Sequence, residues 1–129
     1  MSEQESSLTP LLKDTVKSPH FYEDYSNNVY LESSVWDMKL IFGRLDQRTN
    51  PPKVEQHGSV NIPWSQTKIF AYLLCAHIAG YEMQNGPINI PEPVMPPPLP
   101  EPTEEMKKAD PNAQALFERL MWIRQQFFG

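Results

Sequence analysis

Cysteine is nearly missing from this sequence: Cys75 stands alone among 129 residues. No disulfide can therefore close within one chain, and stability has to come from packing. Cys75 falls among apolar residues, where a free thiol is expected to act as a small core hydrophobe. Glycine is scarce too, with five in all, and none are grouped in the loop that cradles phosphate in nucleotide-binding domains. Positive charge is short. Eleven Lys and Arg face sixteen Asp and Glu, for a net charge of -5. Phosphate contacts need clustered cations, so nucleic acid and anionic membrane surfaces are poor partners. A clean membrane span is also missing, because the most apolar stretch is broken by Lys68, His77 and Glu82. The opening residues MSEQESSLTPLLKD lack the apolar core of a signal peptide. A cytoplasmic location is the expectation.

Catalytic signatures are absent as well. His20, His57 and His77 fall in three unrelated segments. His57 is expected on a polar strand face beside Glu55, solvated. His77 is expected as a hydrogen-bonded core histidine. His20, Glu23 and Asp24 match no spacing that metal ligands require. No catalytic, cofactor-binding or metal-binding residue is expected, and no cofactor.

What the sequence does have is one strong helix signal, from Trp64 to Gly86. Ser65 is the expected N-cap, since its hydroxyl can accept from free N–H groups of the first turn. Asn85-Gly86-Pro87 is a stop: glycine adopts the left-handed turn past a helix end, and proline cannot continue the helix. Between them Phe70, Leu73, Leu74, His77, Ile78 and Tyr81 recur at helical spacing. Ile69, Tyr72, Cys75 and Ala76 add a second apolar surface. A helix apolar nearly all round is covered on more than one side, and one small sheet cannot do that. Ile69, Tyr72, Leu73 and Ala76 are therefore the expected oligomer interface, in a homodimer or higher oligomer.

Upstream, residues 1–25 read as a flexible, loosely docked arm, polar and without sustained period, which Leu8, Leu11 and Leu12 could anchor. Three strands are expected near residues 28–34, 36–46 and 53–62. Trp36, Met38, Leu40 and Phe42 alternate with Asp37, Lys39, Ile41 and Gly43, so one face is expected to be strongly apolar. Gly43 within that pattern signals a bulge or a close backbone approach. Val54, Val60 and Ile62 are expected on one face of the third strand, and Lys53, Glu55, His57 and Asn61 on the other. Short strands with short polar loops favour an antiparallel meander. The predicted class is α+β, a small three-stranded antiparallel sheet packed on one long helix, forming a core domain over residues 26–90. Ile88-Asn89-Ile90 could add an edge strand.

Residues 91–110 contain PEPVMPPPLPEP and read as a proline-rich linker, extended because proline fixes φ and removes donors. PxxP ligand segments are the weaker alternative there. Residues 111–129 read as an amphipathic C-terminal docking helix, with Asp110 as its N-cap and Pro111 as its first residue. Leu116, Leu120, Ile123 and Phe127 recur at the anchor spacing of a helix that docks in a groove.

The stretch NNVYLESSVWDMKLIFGRLDQ, then IPWSQTKIFAYLLCAHIAGYEMQNGPI, resembles a small prokaryotic family, the domain of unknown function 3467. Phe42-Gly43 matches its strand ending, and Tyr81-Glu82 with Gly86 its helix ending. The resemblance covers about residues 28–90. It implies a bacterial source and the strand–strand–helix unit, and carries no activity. Two functional expectations remain. The favoured one is a non-enzymatic protein–protein interaction or assembly module acting as a homo-oligomer, with the C-terminal helix or proline-rich segment available to a protein partner. A chaperone-like surface for extended apolar segments is its variant. The alternative is a small-molecule-binding or enzymatic domain, with a pocket between sheet and helix lined by Trp36, Phe42, Tyr72 and Tyr81.

Overall fold

The computed structural model describes residues 14–129; Leu8, Leu11 and Leu12, the expected anchors of the arm, lie outside that range. The chain divides into two compact units, Met1–Pro87 and Ile88–Gly129.

The first unit is an antiparallel sheet of order β1-β2-β3 followed directly by a helix: β1 (Asn28–Ser33), β2 (Asp37–Asp46), β3 (Lys53–Pro63) and α1 (Trp64–Asn85). The class is α+β, as the shift from a period of two to helical spacing at Pro63-Trp64 implies. The β1–β2 turn is organised by Ser34, whose Oγ accepts the backbone N–H groups of Trp36 and Asp37, each at 3.1 Å. Trp36 lies in this turn, one residue before β2 begins.

Register runs from Met38 opposite Ile62 to Phe42 opposite Gly58, then shifts, so that Gly43 faces Gln56. His57 is the extra residue of a β-bulge. Paired residues share a face, and one inserted residue reverses the phase of everything beyond it. Val54, paired with Leu45, therefore lies on the face opposite Val60 and Ile62. Lys53 and Glu55 move the other way. The simple alternation expected along β3 fails at this point. Gly43 is buried and is where the strands come closest: a Cβ there would sit 2.8 Å from the Glu55 carbonyl oxygen and 3.1 Å from Val54 Cγ1.

α1 starts at Trp64, with its cap two residues before the expected Ser65. Pro63, with φ -68°, is its capping residue and no side chain caps it, so Ser65 sits inside the first turn. Proline at this point already holds the φ a helix start needs and has no N–H to satisfy. Thr67 Oγ1 donates instead to the Pro63 carbonyl at 2.9 Å. The C-terminus is as the sequence implies: Gly86 takes φ +84° and its N–H returns to the Glu82 carbonyl.

No residue of α1 is buried, and the helix touches β2 and β3 only lightly. The sheet within one chain does not cover a face of this helix. Cys75 and His77 are both exposed, in place of the core positions expected for them.

In the second unit, residues 88–90 form no strand. The stretch 91–110 is not extended throughout: one 3-10 turn forms at Glu92–Val94 and a short helix, α2, at Glu104–Ala109. Thr103 caps α2 by accepting the Met106 N–H. Asp110 ends α2 and its carboxylate accepts the Asn112 N–H at 2.9 Å. It does not cap the final helix, α3 (Ala113–Phe128), whose capping residue is Asn112. Two acidic residues at the start of α2 and two lysines at its end match the helix dipole, a local signal the proline-rich composition masks.

Candidate functional site

The surface of the first unit is dominated by side chains that have not found cover. Among the described residues no large apolar side chain is buried; only Gly43 and Pro102 are. Pairing places Val29, Leu31, Leu40, Phe42, Val60 and Ile62 on one sheet face. The opposite face is mixed: it carries Glu32, Lys39, Gln56 and Asn61, with Lys39 Nζ 4.0 Å from Glu32 Oε2, together with Tyr30, Ile41, Leu45 and Val54. Half of each of Val29, Leu31 and Val60 is open, at 53%, 53% and 50%. On α1, Ile69 and Tyr72 are exposed, while Leu73 and Ala76 are half-buried. These four expected interface residues do lie together along one strip of the helix, at the spacing of neighbouring turns.

A polar junction sits at the bulge. Residues 24–27 run beside β2 and are sewn to it one by one. Arg44 Nη2 donates to Asp24 Oδ1 at 2.8 Å and Arg44 Nε to the Tyr25 carbonyl at 3.2 Å. Ser26 Oγ accepts the Gly43 N–H at 3.1 Å, and Asn27 Oδ1 accepts the Leu45 N–H at 2.6 Å. His57, turned out by the bulge, places Nδ1 3.0 Å from Asp24 Oδ2. The partner of His57 is therefore Asp24 and not Glu55, and the end of the expected arm is pinned to the sheet. The Tyr25 N–H donated to Asp24, helped by Arg44 and His57, holds this carboxyl below its ordinary value against an upward push from desolvation. Opposite charges and donated hydrogen bonds favour the ionised form.

An open cavity of about 270 Å³ lies here, lined by Tyr22, Asp24, Tyr25, Phe42, His57 and Ser59 among others. Of the four aromatics expected around a ligand pocket, only Phe42 lines it. Trp36 is 83% exposed in its turn, and Tyr72 and Tyr81 are exposed on α1. Sequence reasoning missed the Asp24–Arg44–His57 junction because its members lie far apart in the chain. Gly43 inside the strand pattern was the available signal for the bulge that makes it.

In the second unit, Leu116 and Leu120 line an open apolar cleft of about 450 Å³ with Leu99, Pro102, Met106 and Phe117. Arg124 Nη2 donates to the Pro96 carbonyl at 2.7 Å, and its guanidinium lies over the Phe128 ring at 5.6 Å. Of the four expected docking residues, Leu116, Ile123 and Phe127 are exposed and Leu120 is half-buried.

Among the described residues no group of three or more His, Cys, Asp or Glu is placed to hold a metal ion. No helix among them is long and apolar enough to cross a membrane. No curated protein and no solved structure matches the chain. One family does, over more of the chain than the motifs alone indicate: the match includes the residues before Asn28, where Asp24 to Asn27 dock on β2, and ends at Ile90, short of the proline segment. By that match to residues 1–90, the chain belongs to the family described as protein of unknown function, DUF3467.

Proposed function

We propose that this protein is a non-enzymatic assembly module that works as a homo-oligomer, a dimer in its simplest form. The observation that supports this reading is the absence of any buried large apolar side chain among the described residues. Burying one such side chain is worth about 1.5–3 kcal/mol, and a whole domain has about 5–15 kcal/mol of stability. A chain that leaves Ile69, Tyr72, Leu31 and Val60 in water gives up a large part of that total. Contiguous apolar surface on this scale marks an interaction site.

The tail is the second contact surface in this reading. Ile123, Phe127 and the half-exposed Trp122 (54%) offer a protein partner apolar anchors, and tryptophan is a residue type enriched where binding energy concentrates. No residue is assigned a catalytic role.

Light scattering coupled to size exclusion tests the proposal. The expected mass is at least twice the 14.9 kDa of one chain at micromolar concentration. A species at 14.9 kDa would overturn it. Truncation after Pro102 tests the tail separately: the oligomer is expected to persist and binding to a protein partner to be lost.

A further inference from the structure

We infer that the dimer is built by exchange: α1 of each copy lies on the apolar sheet face of the other. This rests on the homo-oligomer reading and goes beyond it by naming the two surfaces that meet.

The junction between β3 and α1 carries the argument. β3 ends at Pro63 and α1 begins at Trp64, with no residue between them. A chain that must lay a helix back on its own strand needs a loop in which to reverse direction, and such loops usually take several residues. Here there is none. Pro63 is itself extended, with φ -68° and ψ 159°, so the helix leaves the end of the sheet. Trp64 then fixes its root: the indole Nε1–H donates to the Ser34 carbonyl at 2.9 Å, which ties the first helical residue to the β1–β2 turn. The result is a helix that no residue of its own sheet buries.

The two uncovered surfaces are complementary in chemistry and in length. One sheet face is apolar through Leu31, Leu40, Phe42, Val60 and Ile62, while the other mixes the Glu32–Lys39 pair, Gln56 and Asn61 with Tyr30, Ile41, Leu45 and Val54. The first carries the larger share of the apolar side chains. α1 has 22 residues, or about 33 Å at 1.5 Å per residue. β2 has ten residues, about 34 Å at 3.4 Å per residue. A helix from a second copy therefore spans the strands end to end. A two-fold axis satisfies both copies at once, because each supplies one sheet face and one helix. A foreign helix would cover the sheet and leave α1 itself bare. A second copy leaves neither.

Inserting eight Gly and Ser residues between Pro63 and Trp64 tests the exchange. Given a loop, each helix can return to its own sheet, and the mass measured by light scattering should fall twofold, to that of one chain. A wild-type dimer whose insertion variant remains a dimer overturns the exchange and leaves the oligomer reading standing. A monomeric wild type overturns the oligomer reading itself. Mixing gives a second measurement that does not depend on how the insertion variant folds. L40K and L74E should each lose the homodimer, while the mixture should recover a heterodimer, because one of its two sheet–helix contacts is wild type on both sides. Failure of the mixture to associate overturns the exchange, as does either variant dimerising alone.

Discussion

Trp64 Nε1 donates a 2.9 Å hydrogen bond to the carbonyl oxygen of Ser34, thirty residues earlier in the chain. One side chain thus joins the first residue of the helix to the turn between the first two strands. Trp64→Phe keeps most of the ring and loses the donor. A net hydrogen bond is worth about 0.5–1.5 kcal/mol, and the Ser34 oxygen can turn to water, so the cost should fall near the lower end. Urea unfolding should show the midpoint falling with the slope unchanged. An unchanged midpoint would mean that the bond contributes nothing.

Gly43→Ala should cost more. The added Cβ would lie 2.8 Å from the Glu55 carbonyl oxygen, which is backbone and cannot rotate away. Overpacking of this kind costs about 1–3 kcal/mol. The same residue anchors Ser26 and borders the bulge, so the change should also free residues 24–27. Amide exchange at Leu45, whose N–H is held by Asn27, should quicken.

The Asp24 junction predicts a pH dependence. Its carboxyl is held below the ordinary value of 3.8 by the Tyr25 N–H, Arg44 and His57. A carboxyl with a lowered folded value binds protons more weakly folded than unfolded. It therefore stabilises the fold above the unfolded value and loses that contribution as pH falls through the lowered one. Asp46 acts in the same direction through the Arg48 side chain. Asp24→Asn should be less stable than wild type at pH 7, and the gap should narrow as pH falls below 3.8. Thermal melts across pH 2.5 to 7 check this; a gap constant with pH would remove Asp24 from the account.

Thr103→Ala should loosen α2. Loss of the hydroxyl that accepts the Met106 N–H costs about 1 kcal/mol at a helix start, which corresponds to roughly fivefold faster local opening. Amide exchange at Met106 reads it directly. The sheet amides of the first unit should be unaffected.

Sequence periodicity alone determined the order and kind of the elements in the first unit. Alternation through Met38, Leu40 and Phe42 defines a strand without reference to neighbours, because the pleat sends successive side chains to opposite faces. The run from Phe70 to Tyr81, closed by Gly86, defines a helix in the same local way. Element ends were read less well where backbone sterics replaced side-chain capping. Pro63 displaced Ser65, and Asn112 displaced Asp110, whose carboxylate was taken up by the turn between α2 and α3.

Faces and partners were decided by the tertiary structure. Val54 changed sides because His57 inserts one residue, and the phase of a strand depends on register with its neighbour, which no single strand encodes. Asp24 met Arg44 and His57 across twenty and thirty-three positions, a pairing set by how the segment before β1 lies along β2. The apolar surfaces of α1 and the sheet could be counted from composition and spacing. That they do not cover one another within a chain follows from a junction with no loop, a geometric fact that hydrophobic pattern alone does not carry.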